Sequence, residues 1–367
     1  MTPHRRLALL PPLLLAAAEV FFEERFEADS LEPRWVHSAW QGGNGPAGRF
    51  ELSAGAWYAD EKLQRGLRTP EDMRYHSISA KLAKSFSSRD RSLVVQFTVK
   101  HETHQYAFCG GGYMKLLGSH FAQESFGGDT PYHIMFGPDL CGYDVSRIHL
   151  IFGWQGANLP RRHDIKLDYE EKDELTHLYT LVVRPNSTYG VYFDGKEKAE
   201  IDDPQVRKPS DWVNDRQVRD PTARRPPEWD EDEDGVYEAP FIDNPAYKGE
   251  WFARRVANPA YSGEWRPRQL DNPEYVEAVH AYDDIGAVGF ELWTVNKGSI
   301  FDNILVTDSL EHAKKVADEV FRPLVAPEKA AKRDFDRQSG RASDEDDEAA
   351  DGADHGEDDE AAERVEL

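Results

Sequence analysis

Residues 91–102, RSLVVQFTVKHE, alternate Val95, Phe97 and Val99 with Gln96, Thr98 and Lys100. Successive side chains of a strand point to opposite faces, so this order predicts a half-buried β-strand with one apolar and one polar side. Similar short runs recur around it, namely YHIMFG (132–137), RIHLIFGW (147–154), HLYTLVVRP (177–185) and TYGVYFDGK (188–196), separated by Gly, Pro and Asp. Many such strands without long helical spacing imply an antiparallel sandwich. Residues 280–308, HAYDDIGAVGFELWTVNKGSIFDNILVTD, return to the same patterning after a long interruption.

The interruption, 201–276, is built from two kinds of repeat. IDDPQVRKPSDW and VRDPTARRPPEW align with a period of 17, and GVYEAPFIDNPAYK, GEWFARRVANPAYS and GEWRPRQLDNPEYV follow with a period of 14. This much proline excludes a regular sheet or a long helix. The repeats instead predict an extended hairpin arm with Trp212, Trp229, Trp251 and Trp265 forming small apolar clusters along it. Inserted in a loop of the sandwich, such an arm leaves 19–200 as the first part of the globular domain and 277–308 as its final strands.

Both ends of the chain depart in composition. Residues 1–18 place His4, Arg5 and Arg6 before a short apolar run ending in Ala16, Ala17 and Ala18, the pattern of a secretory signal peptide. After the final strands, Leu310, Ala313, Val316, Val320 and Phe321 fall at helical spacing behind a capping Ser309, predicting a C-terminal helix within 309–340. Residues 341–367 carry 13 acidic residues against two arginines, an acidic disordered tail suited to loose, high-capacity binding of divalent cations. The whole chain has 68 acidic and 44 basic residues, a formal charge of -24, which argues against nucleic acid or an anionic membrane surface as partner. No later stretch is apolar enough to span a bilayer.

Cys109 and Cys141 are the two cysteines of 367 residues. In an oxidising compartment a structural disulfide is the economical reading, with two separate buried thiols as the alternative. Cys109 opens CGGGYMK (109–115), in which three glycines predict close approach of something to the backbone before Tyr113 and Lys115. Asn186-Ser187-Thr188 is a glycosylation sequon in an expected hairpin turn.

CGGGYMK, YHIMFGPDLCG, the DP…KPSDW and GEW…NPxY repeats, ELWTVNKGSIFDN and the acidic tail, in this order, resemble the calreticulin/calnexin family of endoplasmic-reticulum lectin chaperones. The resemblance runs from about residue 20 onward. It implies a concanavalin A-like jelly-roll sandwich that is not an enzyme, a calcium-binding lectin of the endoplasmic reticulum lumen that acts as a monomer. The implied ligands are monoglucosylated high-mannose glycans on folding glycoproteins, besides unfolded proteins. The implied glycan contacts fall on Tyr113, Lys115, Tyr132, Met135, Asp139, Ile151, Glu291 and Trp293, beside a Cys109–Cys141 disulfide, with Gly110, Gly111 and Gly112 expected to leave room for the saccharide against the strand. Tyrosine and tryptophan faces suit the C–H faces of a neutral sugar, while Lys115, Asp139 and Glu291 suit its hydroxyls. A calcium site is implied at Arg25, Lys62 and Gln64, through main-chain oxygens, with the Asp302 carboxylate. The arm tip, Trp229 with Asp230, Glu231, Asp232, Glu233 and Asp234, is implied to recruit a protein disulfide isomerase-like oxidoreductase and a peptidyl-prolyl isomerase.

Several positions depart from the family pattern. Glu291 stands where an aspartate is usual, which predicts altered glycan affinity. Arg25 replaces a glutamine and Gln64 a lysine, so a guanidinium near the ion is expected to oppose it. The arm has two repeats of the first kind against three of the second, and the terminal RVEL is close to, but not the same as, a luminal retrieval signal. Two competing readings are a calcium buffer whose sugar site has decayed and a glycoside hydrolase using Asp139 and Glu291, which would need its carboxylates about 5 to 9 Å apart.

Overall fold

In the computed structural model, which describes residues 18–40, 45–104, 107–154, 156–160, 164–200, 218–219, 241–242 and 281–341, the alternating run becomes the strand Leu93–His101. It is buried along its whole length on both faces. Val95, Phe97 and Val99 enter the main core, where the Phe97 ring meets those of Phe136, Tyr179 and Phe290. The opposite, polar face is not the solvent face that alternation predicts. Helix Leu310–Val320 lies across it, packing Ala313, Val316 and Val320 on Val94, Val182 and Leu305.

The polar groups beneath the helices are satisfied internally, as burial requires. Gln96 donates to the Ala313 carbonyl (3.1 Å) and accepts from the Thr180 hydroxyl (2.9 Å). The Lys100 ammonium donates to the carbonyls of Ala54 (2.8 Å) and Trp57 (2.6 Å), with the Glu328 carboxylate at 3.6 Å. Hydrophilic side chains thus mark a covered face here, because backbone carbonyls and one helix glutamate replace water.

Two antiparallel sheets form the sandwich. The eight-stranded sheet runs in the order Lys196–Glu200, Tyr189–Phe193, Thr176–Val183, Leu93–His101, Ser299–Thr307, Gly66–Arg68 and Glu51–Ser53, with Val20–Glu24 also on Ser299–Thr307. The nine-stranded sheet runs Ala157–Pro160, Val145–Trp154, Ile134–Cys141, Cys109–Gly111, Ile285–Thr294, Arg74–Phe86 and Trp35–His37. In it, Met114–Leu117 bridges Ile134–Cys141 and Ile285–Thr294, and Ile165–Lys166 pairs with Val145–Trp154. The two strands after residue 280 lie inside different sheets, so both sheets depend on the chain's return. Within the arm, Val218–Arg219 pairs antiparallel with Phe241–Ile242; the other repeat residues lie outside the described residues.

Ser309 caps helix Leu310–Val320 by accepting from the His312 amide (3.2 Å). The helical segment is divided at Phe321 and resumes as Arg322–Ser339. Pro323 supplies the reason, since it has no N–H to continue the ladder. Glu328 ties the second helix to the sheet by accepting from the Thr176 hydroxyl (2.7 Å) and amide (3.2 Å). In the hairpin turn at the sequon, exposed Asn186 accepts from the Thr188 hydroxyl through its side-chain oxygen (2.7 Å).

His177, on the same strand as Thr176, sits between Asp173 and Asp194, each at 2.8 Å. Burial alone would lower its pKa, but the two carboxylates push it up to about 10. Unfolded histidine titrates near ~6.5, so this contribution to stability is complete below that pH and is lost as pH rises toward the folded value. The melting temperature is therefore expected to fall between pH 6.5 and 10, and His177→Gln to flatten that slope. Parallel melting curves for the two proteins across this range would refute the assignment. Buried His101 and His76, lowered by desolvation to about 3 and about 4, act in the opposite sense and remove stability as pH drops below ~6.5.

Candidate functional site

Strand register places most of the sequence-derived positions on one face of the nine-stranded sheet. Ser79, Gly289, Lys115, Met135 and Ile151 are successive cross-strand partners and form a single row. Two residues along, Glu291 stands opposite Ser77, and two further, Trp293 stands opposite Tyr75. Val288, Phe290 and Leu292 between them are buried in the core, so Gly289, Glu291 and Trp293 face outward. Asp139 follows Met135 by four residues on the same face, opposite Arg147.

Lys115 and Glu291 meet on this face at 2.7 Å, and both are largely buried. The Lys115 ammonium also lies 5.0 Å from the Tyr132 ring centre and 6.0 Å from that of Phe126. Tyr132, Met135, Ile151 and Phe126 belong to one apolar cluster on the outer side of the sheet. Burial, with the Glu291 carboxylate close by, pushes the Tyr132 phenol up to about 12. The Tyr113 phenol is raised as well, first by burial and then by the charges of Glu291 and Asp139, and its ring meets that of His149 edge-on at 5.9 Å.

Asp139 is held by an arginine and a histidine that sequence reasoning left out. It accepts from Arg147 (3.1 Å) and lies 2.9 Å from His149 Nε2. Burial would raise its carboxyl, but these hydrogen bonds hold it below the usual carboxylate range. Both outer-face carboxylates are thus bound to cations, an arrangement for accepting hydroxyl protons in hydrogen bonds rather than for donating a proton to a leaving group. The missed residues had a signal: Arg147, His149 and Ile151 share one face of RIHLIFGW by alternation. Tyr75 and Trp40 were also missed. Tyr75 lies with ring centres 4.8 Å from Trp293 and 4.9 Å from Trp40.

The three glycines have a different role from the expected one. All three are buried, and a Cβ at Gly111 would collide with the Tyr113 ring, while one at Gly112 would meet Pro138 and His101. The close approach is made by the protein's own side chains, and Gly111 is the seat on which Tyr113 lies. Cys109 and Cys141 form a disulfide between directly opposed residues of neighbouring strands. It ties the strand that leads to Tyr113 to the strand that carries Asp139.

The second sequence-derived site lies under the eight-stranded sheet. Asp302 is buried, and its carboxyl accepts from the Asn303 amide (2.7 Å) and Nδ2 (3.0 Å) and from no other group among the described residues. Desolvation raises its pKa well above the ordinary value, against the Asn303 hydrogen bond. Gln64 and Asp302 line a common cavity of about 10 Å³, and Gly66 is needed because a Cβ there would strike the Phe301 carbonyl and Asp302. The Arg25 guanidinium, expected to oppose an ion, is engaged by Glu23 (2.8 Å) and Glu319 (3.1 Å), and its charge still acts on the Asp302 carboxyl. Lys62 sits in the turn preceding Gln64, its amide donating to Asp60 (2.9 Å). Among the described residues no three His, Cys, Asp or Glu side chains converge as a metal cluster. A hard cation coordinated mainly by carbonyl oxygens does not require one, and a buried carboxylate without a cationic partner fits such an ion.

Trp229 and Asp230 to Asp234, the acidic tail from 342, and residues 1–17 lie outside the described residues. No helix among the described residues is long and apolar enough to cross a membrane.

A family model described as "Calreticulin family" matches residues 21–236 and 233–306. A calreticulin of Chlamydomonas reinhardtii is 45% identical over 361 residues, covering 88% of this chain and 84% of its own. A calreticulin of Onchocerca volvulus is 42% identical over 340 residues, covering 83% of this chain and 85% of its own. Among solved structures, the T. cruzi calreticulin globular domain superposes with a TM-score of 0.63 at 29% identity, over 87% of this chain and all of that one.

Proposed function

Because the chain belongs to the calreticulin family, we propose that it is a calcium-binding lectin chaperone of the endoplasmic reticulum lumen that holds monoglucosylated high-mannose glycans of folding glycoproteins. Members of the family are non-catalytic, and the chain is not an enzyme. The observation that carries the glycan reading is the convergence of Lys115, Met135, Ile151, Asp139, Glu291 and Trp293 on one outer sheet face, with Tyr132 in the apolar cluster there and the Tyr113 ring 5.9 Å from that of His149. Half-buried Tyr113 and Trp293 offer aromatic surface for sugar C–H groups. Glu291 and Asp139 accept from hydroxyls, and Lys115, with Glu291 as its sole hydrogen-bond partner among the described residues, keeps N–H donors for a ligand. Calorimetry with a monoglucosylated oligomannose should show saturable binding by the full chain and none by Tyr113→Ala. Absence of heat with both proteins would remove the reading.

Calcium is assigned to Asp302 with main-chain oxygens of Arg25, Lys62 and Gln64. The ion would supply the positive charge that this buried carboxylate lacks and join the segments around residues 25, 62–66 and 302. The acidic tail would add low-affinity capacity. The arm is proposed to recruit an oxidoreductase and a prolyl isomerase through Trp229 and the acidic run Asp230 to Asp234. Association steered by five consecutive carboxylates is expected to weaken by about tenfold or more between low and high salt. A titration whose affinity is the same at 20 and 500 mM salt would exclude the tip as the docking point.

A further inference from the structure

Two backbone segments carry the main-chain oxygens assigned to calcium, and each is shaped by its own side chains. In 24–29, the Phe26 amide donates to the Glu24 carboxylate (2.9 Å). Phe26 takes a left-handed backbone angle, φ 47°, with its ring buried 5.6 Å from that of Trp35. A side chain of this size adopts that conformation only where its surroundings hold it. In 59–64, the Asp60 carboxylate accepts from the amides of Lys62 (2.9 Å) and Leu63 (3.0 Å), and the Asp60 carbonyl from the Gln64 amide (3.0 Å). The Gln64 side-chain oxygen accepts in turn from the amides of Ala59 and Asp60, so Gln64 closes its own turn.

One side chain joins the two segments. Half-buried Arg65 follows Gln64, and its guanidinium donates to three successive carbonyls, those of Phe26 (3.1 Å), Glu27 (2.9 Å) and Ala28 (3.1 Å). It also reaches Asp29 at 3.2 Å, but that side chain is 97% exposed and the contact holds little. Among the described residues, the bonds of Arg65 are the hydrogen bonds that link 25–29 directly with 59–66. The neighbouring strands Val20–Glu24 and Gly66–Arg68 each pair with Ser299–Thr307 rather than with each other. A planar fork of donors suits several carbonyls at once, which a lysine ammonium does not. The charges acting on the buried Asp302 carboxyl are those of Glu24 and Arg25, so Arg65 joins the segments without setting its own charge against an ion there.

We infer that Arg65 is a positioning residue for calcium: by gathering the carbonyls of Phe26, Glu27 and Ala28, its side chain fixes the segment of the Arg25 oxygen against that of the Lys62 and Gln64 oxygens before the ion arrives. The inference rests on the calcium reading above. Ligands drawn from separate loops lose conformational freedom when they close on an ion, and a clamp already in place removes that loss from the binding step. Groups that orient metal ligands affect affinity although they do not touch the metal. The left-handed turn at Phe26 is held by the same guanidinium, which accepts no substitute among the neighbouring side chains for its three carbonyls.

The test titrates the full chain, Arg65→Gln, Arg65→Lys and Asp302→Asn with calcium against a chelating indicator, at free calcium low enough to leave loose sites empty. Melting temperature is read in parallel, in chelator and in calcium. Arg65→Gln is expected to raise the calcium dissociation constant by about tenfold and to shrink the calcium-induced rise in melting temperature. Arg65→Lys, which keeps a cation able to hold one carbonyl at a time, is expected to fall between Arg65→Gln and wild type, and it carries the comparison if Arg65→Gln does not fold. A merely structural role would lower melting in chelator and leave both the dissociation constant and the calcium-induced rise as in wild type. That result overturns the inference, while loss of tight binding in Asp302→Asn keeps the calcium reading intact. Tight binding by Asp302→Asn equal to wild type removes the calcium reading and this positioning role with it.

Discussion

Replacing Lys115 with methionine is expected to cost about 3–5 kcal/mol of unfolding free energy, because it leaves the Glu291 carboxylate buried without its cation. The two side chains are only 4% and 8% exposed, and they meet at 2.7 Å across neighbouring strands. Chemical denaturation of Lys115→Met should show the loss directly. The double variant Lys115→Met with Glu291→Gln removes both charges and is expected to recover most of it, since neutral groups at the same place need no counter-charge. A single variant within ~1 kcal/mol of wild type would mean that water reaches the pair. Glycan binding separates stability from function, because both proteins lack the ammonium and neither is expected to bind. Glu291→Asp provides the complementary measurement. A carboxylate one methylene shorter withdraws from Lys115, so this variant should change glycan affinity by about tenfold if the pair presents the sugar's hydroxyl partners together.

Calcium should reverse the order of stability of wild type and Asp302→Asn. Without calcium, the asparagine replaces a buried carboxyl whose pKa is raised well above normal by desolvation, so the variant should melt at or above wild type. At 100 times the dissociation constant, a bound ion adds about 2.7 kcal/mol to wild type alone, a shift of roughly 5–10 °C for a domain of this size. Asp302→Asn should show only the small shift due to weaker sites. The pH dependence follows from the same burial. The folded carboxyl takes up its proton at higher pH than the unfolded one, so calcium-free protein loses stability as pH rises from ~4 through the raised folded value. The ion needs the carboxylate, and its uptake should release a proton and tighten with pH. Differential scanning fluorimetry over pH, with and without chelator, reads both effects; an equal calcium shift in the two proteins would place the ion elsewhere.

Much of the candidate site could be read in advance from motifs, yet its internal chemistry could not. Lys115, Met135 and Ile151 were named from their segments, and they share a face because each strand alternates. Nothing local told that Lys115 and Glu291, 176 residues apart, would pair, or that Arg147 and His149 would hold Asp139. CGGGYMK invited a ligand as the object that approaches the glycines, when that object is the Tyr113 ring two residues on. Trp40 belonged to no repeated pattern, and only the packing against Gly127 and Gly128 gives it a place.

Alternation and turn residues alone determined that this chain makes an antiparallel sandwich, interrupted by proline-rich repeats and followed by a helical segment. Those features depend on neighbours in the chain, where a period of two or of 3.6 is set by backbone geometry. Only the folded arrangement decided that the polar side of Leu93–His101 is covered by helices, and which charges meet on the outer sheet face. Alternation tells which side a residue takes but not what lies against it. That depends on contacts between segments more than a hundred residues apart, whose energies arise only after the sheets have brought them together.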